Sequence, residues 1–280
     1  NSDGTLWIEK IGEPMEKIGT LSAPIAKSVI ETIASYYDDV VNSERPILEC
    51  ELPIDGSRFE AIIPPVVAHP TFTIRKKATK IFTLEDYVND SIITENQKKL
   101  LIDMVRARKN ILVVGGTSSG KTTLCNAIID AISNETPDHR IVIIDDTAEL
   151  QCSAKNQVIL RATNEVDMLQ LLRSTMRLRP DRILVGEVRG GEALNLLKSW
   201  NTGHPGGIAT VHANSAQAGL IRIEQLIAEV TNGQMQELIA EAINVVVFIT
   251  RTAKGREIKQ IIEVDKFDLE QRSYNYREIN

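Results

Sequence analysis

Aromatic side chains are scarce in this sequence, making up 4% of its 280 residues. So few rings argue against a platform on which successive single-stranded bases stack. An excess of positive charge is missing too. Lys and Arg number 32 against 38 Asp and Glu, a net charge of −6. Electrostatics therefore gives no reason for tight nucleic-acid binding over the whole surface, although a local basic groove stays compatible with it. No apolar run approaches the ~18 residues of a membrane span, and no signal-peptide pattern opens the chain. Cysteine is limited to Cys50, Cys125 and Cys152, with no C-x-x-C. That spacing offers no zinc framework and fits a reducing cytosol. A starting methionine is also absent; the chain opens at Asn1, so an upstream segment is expected. There is no internal repeat and no low-complexity tract.

What is present is concentrated in a few short stretches. Residues 115–122 read Gly-Gly-Thr-Ser-Ser-Gly-Lys-Thr, which fits the Walker A loop G-x-x-x-x-G-K-[ST] at Gly115, Gly120, Lys121 and Thr122. In such a loop the backbone N–H groups of Gly115, Gly116, Thr117, Ser118, Ser119 and Gly120, running on into Thr123, can close around a polyphosphate. Lys121 can reach the β- and γ-phosphates, and the Thr122 hydroxyl can hold Mg²⁺. The context agrees. Ile111 to Val114 predicts a buried strand, and Leu124 to Ile132 predicts a helix whose N-terminus favours an anion. Cys125, one turn past Lys121, is expected to be a small buried residue.

The texture of the chain changes along its length. Residues 1–75 are punctuated by Asp3-Gly4, Asp55-Gly56 and Pro64-Pro65. Strands are expected at 6–8, 47–52 and 58–63, with a helix over 23–41 from Ile25, Val29, Ile33 and Tyr36/Tyr37. This is a small α+β domain. Residues 76–93 are expected to be a linker or short connecting element. Residues 94–280 form a second domain, opened by a helix capped by Thr94 with Gln97 in a capping box. Strands are then predicted at 111–114, 141–144, 157–161, 182–186, 208–212 and 244–250. Helices are predicted at 122–132, 165–178, 191–201, 215–230 and 233–242. Continuous apolar strands alternating with helices make an α/β fold with a mostly parallel sheet covered on both faces. The tail, 257–276, predicts antiparallel edge strands.

Hydrolysis of a nucleotide needs an acid near Mg²⁺ and a group that orients or deprotonates water. The strand 141–144 runs into Asp145, Asp146 and, three residues on, Glu149. The strand 183–185 runs through Gly186 into Glu187. Ligands of a parallel sheet gather at the carboxyl ends of its strands, so both sets of acids are expected on the rim of the phosphate loop. An ordinary Walker B strand ends in aspartate, where this chain has Gly186. Metal contact must then come from Thr122 and waters, or from a neighbouring acid; Glu187 is expected to reach Mg²⁺ through water. Arg173, Arg177, Arg179, Arg182 and Arg189 crowd the same region, and most are expected to be surface residues or partners of acids. His204 and His212 lie in Thr202 to Asn214. Their spacing matches no zinc pattern; a histidine at a strand end can instead hydrogen-bond or sense a γ-phosphate.

Together these stretches resemble one family, the traffic ATPases of type II and type IV secretion, and within it the conjugal-transfer, TrbB-type branch. The matching stretches are Gly115–Thr122, the Asp box Ile144–Leu150, the atypical Walker B within Leu172–Gly190, and the His box Gly203–Asn214. In the first domain, Asp55-Gly-Ser-Arg-Phe, Pro64-Pro65 and Phe72-Thr-Ile-Arg75 also match. The resemblance implies a RecA-like motor domain behind a PAS-like N-terminal domain, with ATP and Mg²⁺ bound between them and Arg75 over the nucleotide. It implies a homo-hexameric ring, cytoplasmic and peripheral at the inner membrane. There it would contact inner-membrane components of a secretion or conjugation channel and, indirectly, the transferred substrate. Gly186 is normal for that family. Asp145 departs from it, since the Asp box usually begins Glu-Asp; to orient water, a shorter side chain must reach the same place. A type II secretion or pilus assembly/retraction ATPase is the alternative; scattered cysteines speak against the zinc-bearing type II form. A nucleotide-regulated scaffold and a DNA recombinase are the readings from other classes.

Overall fold

The computed structural model describes residues 1–10, 13–76, 81–147, 149–163, 165–253 and 255–279. It divides into two compact units, residues 1–79 and 80–280.

In the first unit, β1 (Thr5–Ile8) and β2 (Glu16–Thr20) form an antiparallel pair. Helix α1 (Ala23–Tyr36) follows, and then the antiparallel meander β3 (Ile47–Glu51), β4 (Arg58–Ile62) and β5 (Thr71–Arg75). The helix buries Ile30 and Ala34 against Leu48, Phe59 and Ala61, and Phe72 stacks on Phe59 with ring centroids 5.5 Å apart. It stops at Tyr36 and not at Val41, because Tyr37 closes it and Asp38 takes φ +53°. β2 was not expected; its residues are almost all exposed, so it lacks the buried alternation that announces a strand.

The second unit opens with α2 (Leu84–Asn89) and α3 (Glu95–Arg106), each begun by a capping box, Thr83 with Asp86 and Thr94 with Gln97. Then come β6 (Ile111–Gly115), α4 (Lys121–Glu135), β7 (Ile141–Asp145), β8 (Gln157–Arg161), α5 (Met168–Thr175), β9 (Arg182–Val185) and α6 (Glu192–Asn201). The chain continues through β10 (Ile208–His212), α7 (Ala216–Ala228), α8 (Gln236–Ala242), β11 (Val245–Thr252), β12 (Gly255–Asp268) and β13 (Ser273–Glu278). The eight strands from β6 to β13 form one sheet, in the order β13-β12-β11-β6-β10-β9-β7-β8. Strands from β11 to β8 in that order are parallel; β12 and β13 run antiparallel on the edge.

Alternate residues of a strand point to opposite faces, and this divides the core in two. Ile111 and Val113 of β6 pack with α2, α3 and α4. Leu112 and Val114 of the same strand pack with α5, α6, α7 and α8. Every residue of β6 is buried, and each large aliphatic side chain so placed contributes roughly 1.5–3 kcal/mol. The strand entering the phosphate loop is thus fixed from both sides. α5 begins at Met168, later than the spacing predicts, because Asp167 accepts from the Gln170 N–H and forms a capping box.

Candidate active site

Four neighbouring strands, β6, β10, β9 and β7, bring their carboxyl ends to one edge of the second unit. The loop after β6 carries 116–120. Gly120 is the N-cap of α4 in a left-handed conformation, φ +99°, which glycine adopts without the cost of a Cβ. Lys121 is then the first helical residue and is only 8% exposed. Its ammonium donates to the carbonyls of Gly115 and Gly116, each at 3.0 Å, and to His212 Nδ1 at 3.1 Å. Burial lowers the Lys121 pKa from the ordinary lysine value, and Glu187 opposes that shift. Thr122 and Thr123 are half-buried, while Thr117 and Ser118 are exposed. Ser119 is buried, and its hydroxyl has no hydrogen-bond partner among the described residues.

A line of charged groups runs from Lys121 across the strand ends. His212, the last residue of β10, meets Glu187 through Nε2 to Oε1 at 2.8 Å. The other Glu187 oxygen accepts from Arg189 Nη2 at 2.7 Å, and Arg189 Nη1 donates to Asp146 Oδ2 at 2.7 Å. Because Nδ1 accepts from Lys121, His212 is neutral and carries its proton on Nε2. Burial, then the Lys121 charge, lowers its pKa; Glu187 pulls the other way. Glu187 itself is set by backbone bonds on either side. The Thr210 hydroxyl donates to the Gly186 carbonyl at 2.8 Å, and the Val188 N–H to the Thr210 carbonyl at 2.9 Å.

Asp145 and Asp146 take different places. Asp145 is 2% exposed and faces inward. It accepts from the N–H groups of Thr147 (3.2 Å), Glu149 (2.8 Å) and Leu150 (3.0 Å) and from the Thr147 hydroxyl (3.0 Å). Its carboxylate fills the space where a side chain on Gly186 would project. A glycine stands there because the neighbouring strand already supplies the acid. Asn126 of α4, 4% exposed, ties the same segment down: it donates to the Glu149 carbonyl and accepts from the Gln151 N–H, both at 3.0 Å.

Other candidate residues lie elsewhere. Arg75 ends β5 in the first unit. Arg182 is completely buried at the start of β9, donating to the carbonyls of Val105 (2.8 Å) and Gly206 (3.0 Å) and to His139 Nδ1 (3.1 Å). It satisfies backbone carbonyls at the amino end of β9, away from the carboxyl ends of the strands. Arg179 lies between α5 and β9 with φ +54°. His204 meets the Pro180 carbonyl at 2.9 Å and precedes β10, whereas His212 closes it, so the two histidines share no ligand. Cys125 is fully buried and burial pushes its thiol up. Arg189 is one of five arginines crowded between positions 173 and 189; its bridging position follows from β7 lying beside β9, an order the sequence does not encode locally. Among the described residues, no group of three or more His, Cys, Asp or Glu side chains is placed to hold a metal ion.

A glycine-capped phosphate loop at a helix start, with acids at adjacent strand ends of a parallel sheet, defines a P-loop nucleotide hydrolase. Comparison with known proteins narrows the class. Residues 15–275 match the type II/IV secretion system protein family. The chain is 51% identical over 267 residues to a probable conjugal transfer protein TrbB of Sinorhizobium fredii, covering 95% of this chain and 82% of that protein. It is 33% identical to the type IV secretion system protein PtlH of Bordetella pertussis, over 94% of this chain and 88% of that one. Among solved structures, the VirB11 ATPase of the Brucella suis type IV secretion system is 27% identical with a TM-score of 0.55, covering 93% of this chain and 86% of that one. The chain therefore belongs to the type II/IV secretion system protein family, in its TrbB-type branch, and is a traffic ATPase of type IV secretion.

Proposed function

We propose that this chain hydrolyses ATP with Mg²⁺ at the edge formed by β6, β10, β9 and β7, and that it does so as a hexameric motor. The ring would sit on the cytoplasmic face of the inner membrane and power assembly of, or substrate movement through, a conjugal-transfer channel. The observation that carries the catalytic part is the continuous line Lys121–His212–Glu187–Arg189–Asp146, which joins the phosphate loop to two acids at neighbouring strand ends. The relatives named for conjugal transfer and type IV secretion support the rest. The RecA-like and PAS-like assignments of the two units belong to the same proposal, as do the boundaries 1–75, 76–93 and 94–280.

The residues fit a nucleoside triphosphate. Lys121 spends its donors on the loop's own carbonyls and can turn them to phosphate oxygens; the orphaned Ser119 hydroxyl lies in the same loop. Mg²⁺ keeps several waters and is commonly held by one or two protein groups plus phosphate oxygens. Thr122 suits that sparse arrangement, with Glu187 reaching the ion through water, and the metal would neutralise charge on the phosphates. Lys121 holds the β- and γ-phosphates in place. Glu187, freed from one of its two partners, takes a proton from the attacking water as the new oxygen–phosphorus bond forms and the bond to the β-phosphate oxygen breaks. His212 positions Glu187 and is placed to register whether the γ-phosphate has drawn Lys121 away. Arg75 is proposed to pair with phosphate oxygens of the same nucleotide.

The test is Lys121→Ala. Turnover, measured as phosphate release, is expected to vanish while the protein stays folded, because the side chain lies at the loop and outside the two hydrophobic clusters. A folded variant that hydrolyses ATP at the wild-type rate would refute the site.

A further inference from the structure

On the flank of the phosphate loop opposite Glu187, strands β11 and β12 form a hairpin. Arg251 and Arg256 are direct partners across it. Direct partners on an antiparallel ladder project to one face, and like charges so placed are destabilising. Among the described residues neither arginine side chain makes an ion pair or a hydrogen bond, and the buried Arg256 Nε is without a hydrogen-bond partner. This sits oddly on a chain with a net charge of −6.

The pair lies against the phosphate loop. A Cβ built on Gly120 would come 2.9 Å from Arg256 Cδ and 3.1 Å from its Nε, so the Arg256 stem crosses directly over the residue before Lys121. Arg251, with Lys259, lines a cleft of about 380 Å³ whose other wall includes Gly116, Thr117 and Ser119 of the loop. A cleft of this size suits part of a small ligand. Two guanidinium forks, whose planar donors match phosphate oxygens, thus converge on a loop built to hold phosphate.

We propose that Arg251 and Arg256 form a phosphate-binding pair that takes the α- and β-phosphate end of the bound nucleotide, with Arg256 as the principal contact. The inference rests on the proposed ATP site and deepens it. If Glu187 activates water, the γ-phosphate points to its flank, and the rest of the chain runs toward the hairpin. The anion then cancels the repulsion within the pair. Two consequences separate this from a packing role. Loss of Arg256 affects ADP and ATP alike, since both carry the α- and β-phosphates. It also leaves the nucleotide-free protein no less stable, since a like-charge contact is removed.

The experiment is calorimetric titration of ADP and ATP into the whole chain, with thermal melting in the absence of nucleotide, for wild type, Lys121→Ala, Arg251→Gln and Arg256→Met. Methionine keeps the stem over Gly120 and removes the charge. Arg256→Met is expected to weaken ADP and ATP by about tenfold or more, the size of a lost charge-assisted hydrogen bond, with the melting midpoint unchanged or raised. Arg251→Gln, at the exposed tip, gives a smaller loss in the same direction and serves alone if Arg256→Met does not fold. Unchanged affinity in the substituted protein overturns the inference, as does a lowered midpoint with unchanged affinity. If wild type binds neither nucleotide, the ATP site falls and the pair with it. If binding is lost in Lys121→Ala yet full in both arginine variants, the ATP site stands and only the pair is refuted.

Discussion

Gly186→Ala tests why a glycine stands where an acid is customary. The added methyl would be driven into the Asp145 carboxylate, meeting Cγ at 2.9 Å as well as Oδ1. Asp145 has little freedom to yield. It is 2% exposed and holds four hydrogen bonds to the segment that follows it. Overpacking of this kind costs about 1–3 kcal/mol. Hydrogen bonds to a charged group contribute about 1.5–3 kcal/mol each, so weakening one of them brings the loss to about 3–5 kcal/mol. That is a large part of the ~5–15 kcal/mol that holds a typical protein folded. The assay is urea unfolding followed by Trp200, which is 2% exposed and bonded through Nε1 to the Ile183 carbonyl at 3.1 Å. The chain has two tryptophans, so a Trp7→Phe background leaves Trp200 as sole reporter of the second unit. Asp145→Ala supplies the control. Its own cost is substantial, because buried N–H groups lose their acceptor. Asp145 Cβ, however, is 3.5 Å from the built methyl, an ordinary contact. In that background Gly186→Ala should cost little, giving a coupling of about 2–4 kcal/mol, within reach of a double-mutant cycle. A Gly186→Ala loss below about 0.5 kcal/mol, or an equal loss in both backgrounds, refutes the reasoning.

Glu187→Gln is expected to bind ATP and hydrolyse it about two orders of magnitude more slowly or worse, the scale of a lost general base; a fast Glu187→Gln with a dead Asp145→Asn or Asp146→Asn would put the catalytic acid on β7. Turnover should fall as pH drops through the lowered His212 pKa, which lies below the ordinary histidine value of about 6.5, because protonation of His212 removes the acceptor that Lys121 uses and sets two positive charges together. The His212 pKa is lowered in the fold, chiefly by burial. Between that lowered value and the ordinary one the unfolded chain binds more protons, so the stability contributed by neutral His212 is gained as pH rises and lost as it falls. In His212→Gln the acid limb of the rate profile should flatten; an unaltered limb would assign it to another group. Arg75→Ala should weaken ATP more than ADP and slow hydrolysis, and equal affinities with an unchanged rate would remove Arg75 from the site.

The parts of the fold legible in the sequence are those written in local chemistry. Gly120 and Lys121 carry the phosphate loop in consecutive residues, and Ile141–Asp145 is apolar until its last position because both faces are covered. Boundaries moved where a side chain chose the cap, as Asp167 does for α5. Helix α2 had a readable signal in Thr83 and Asp86, the two ends of its capping box. The rest depends on strand order. Arg189 reaches Asp146 across 43 residues only because β9 lies beside β7. Arg182 belongs to a cluster of arginines expected mostly at the surface or beside acids, yet it is buried and its partners include carbonyls brought from Val105 and Gly206. Gly186 could be seen to break the usual pattern, but the cause, a carboxylate arriving from the next strand, needs the sheet.

Asn126 gives the two halves of the site a shared mechanics. Its amide clamps the stretch around Glu149 and Gln151 onto the middle of α4, and Asp145 grips that stretch from the strand side. The helix that starts at Lys121 and the loop that carries Asp146 are therefore rigged together as a single lever with two handles. In the proposed ATP site, any shift of the start of α4 toward phosphate would be passed along this tie to the loop of Asp146, and through Arg189 to Glu187.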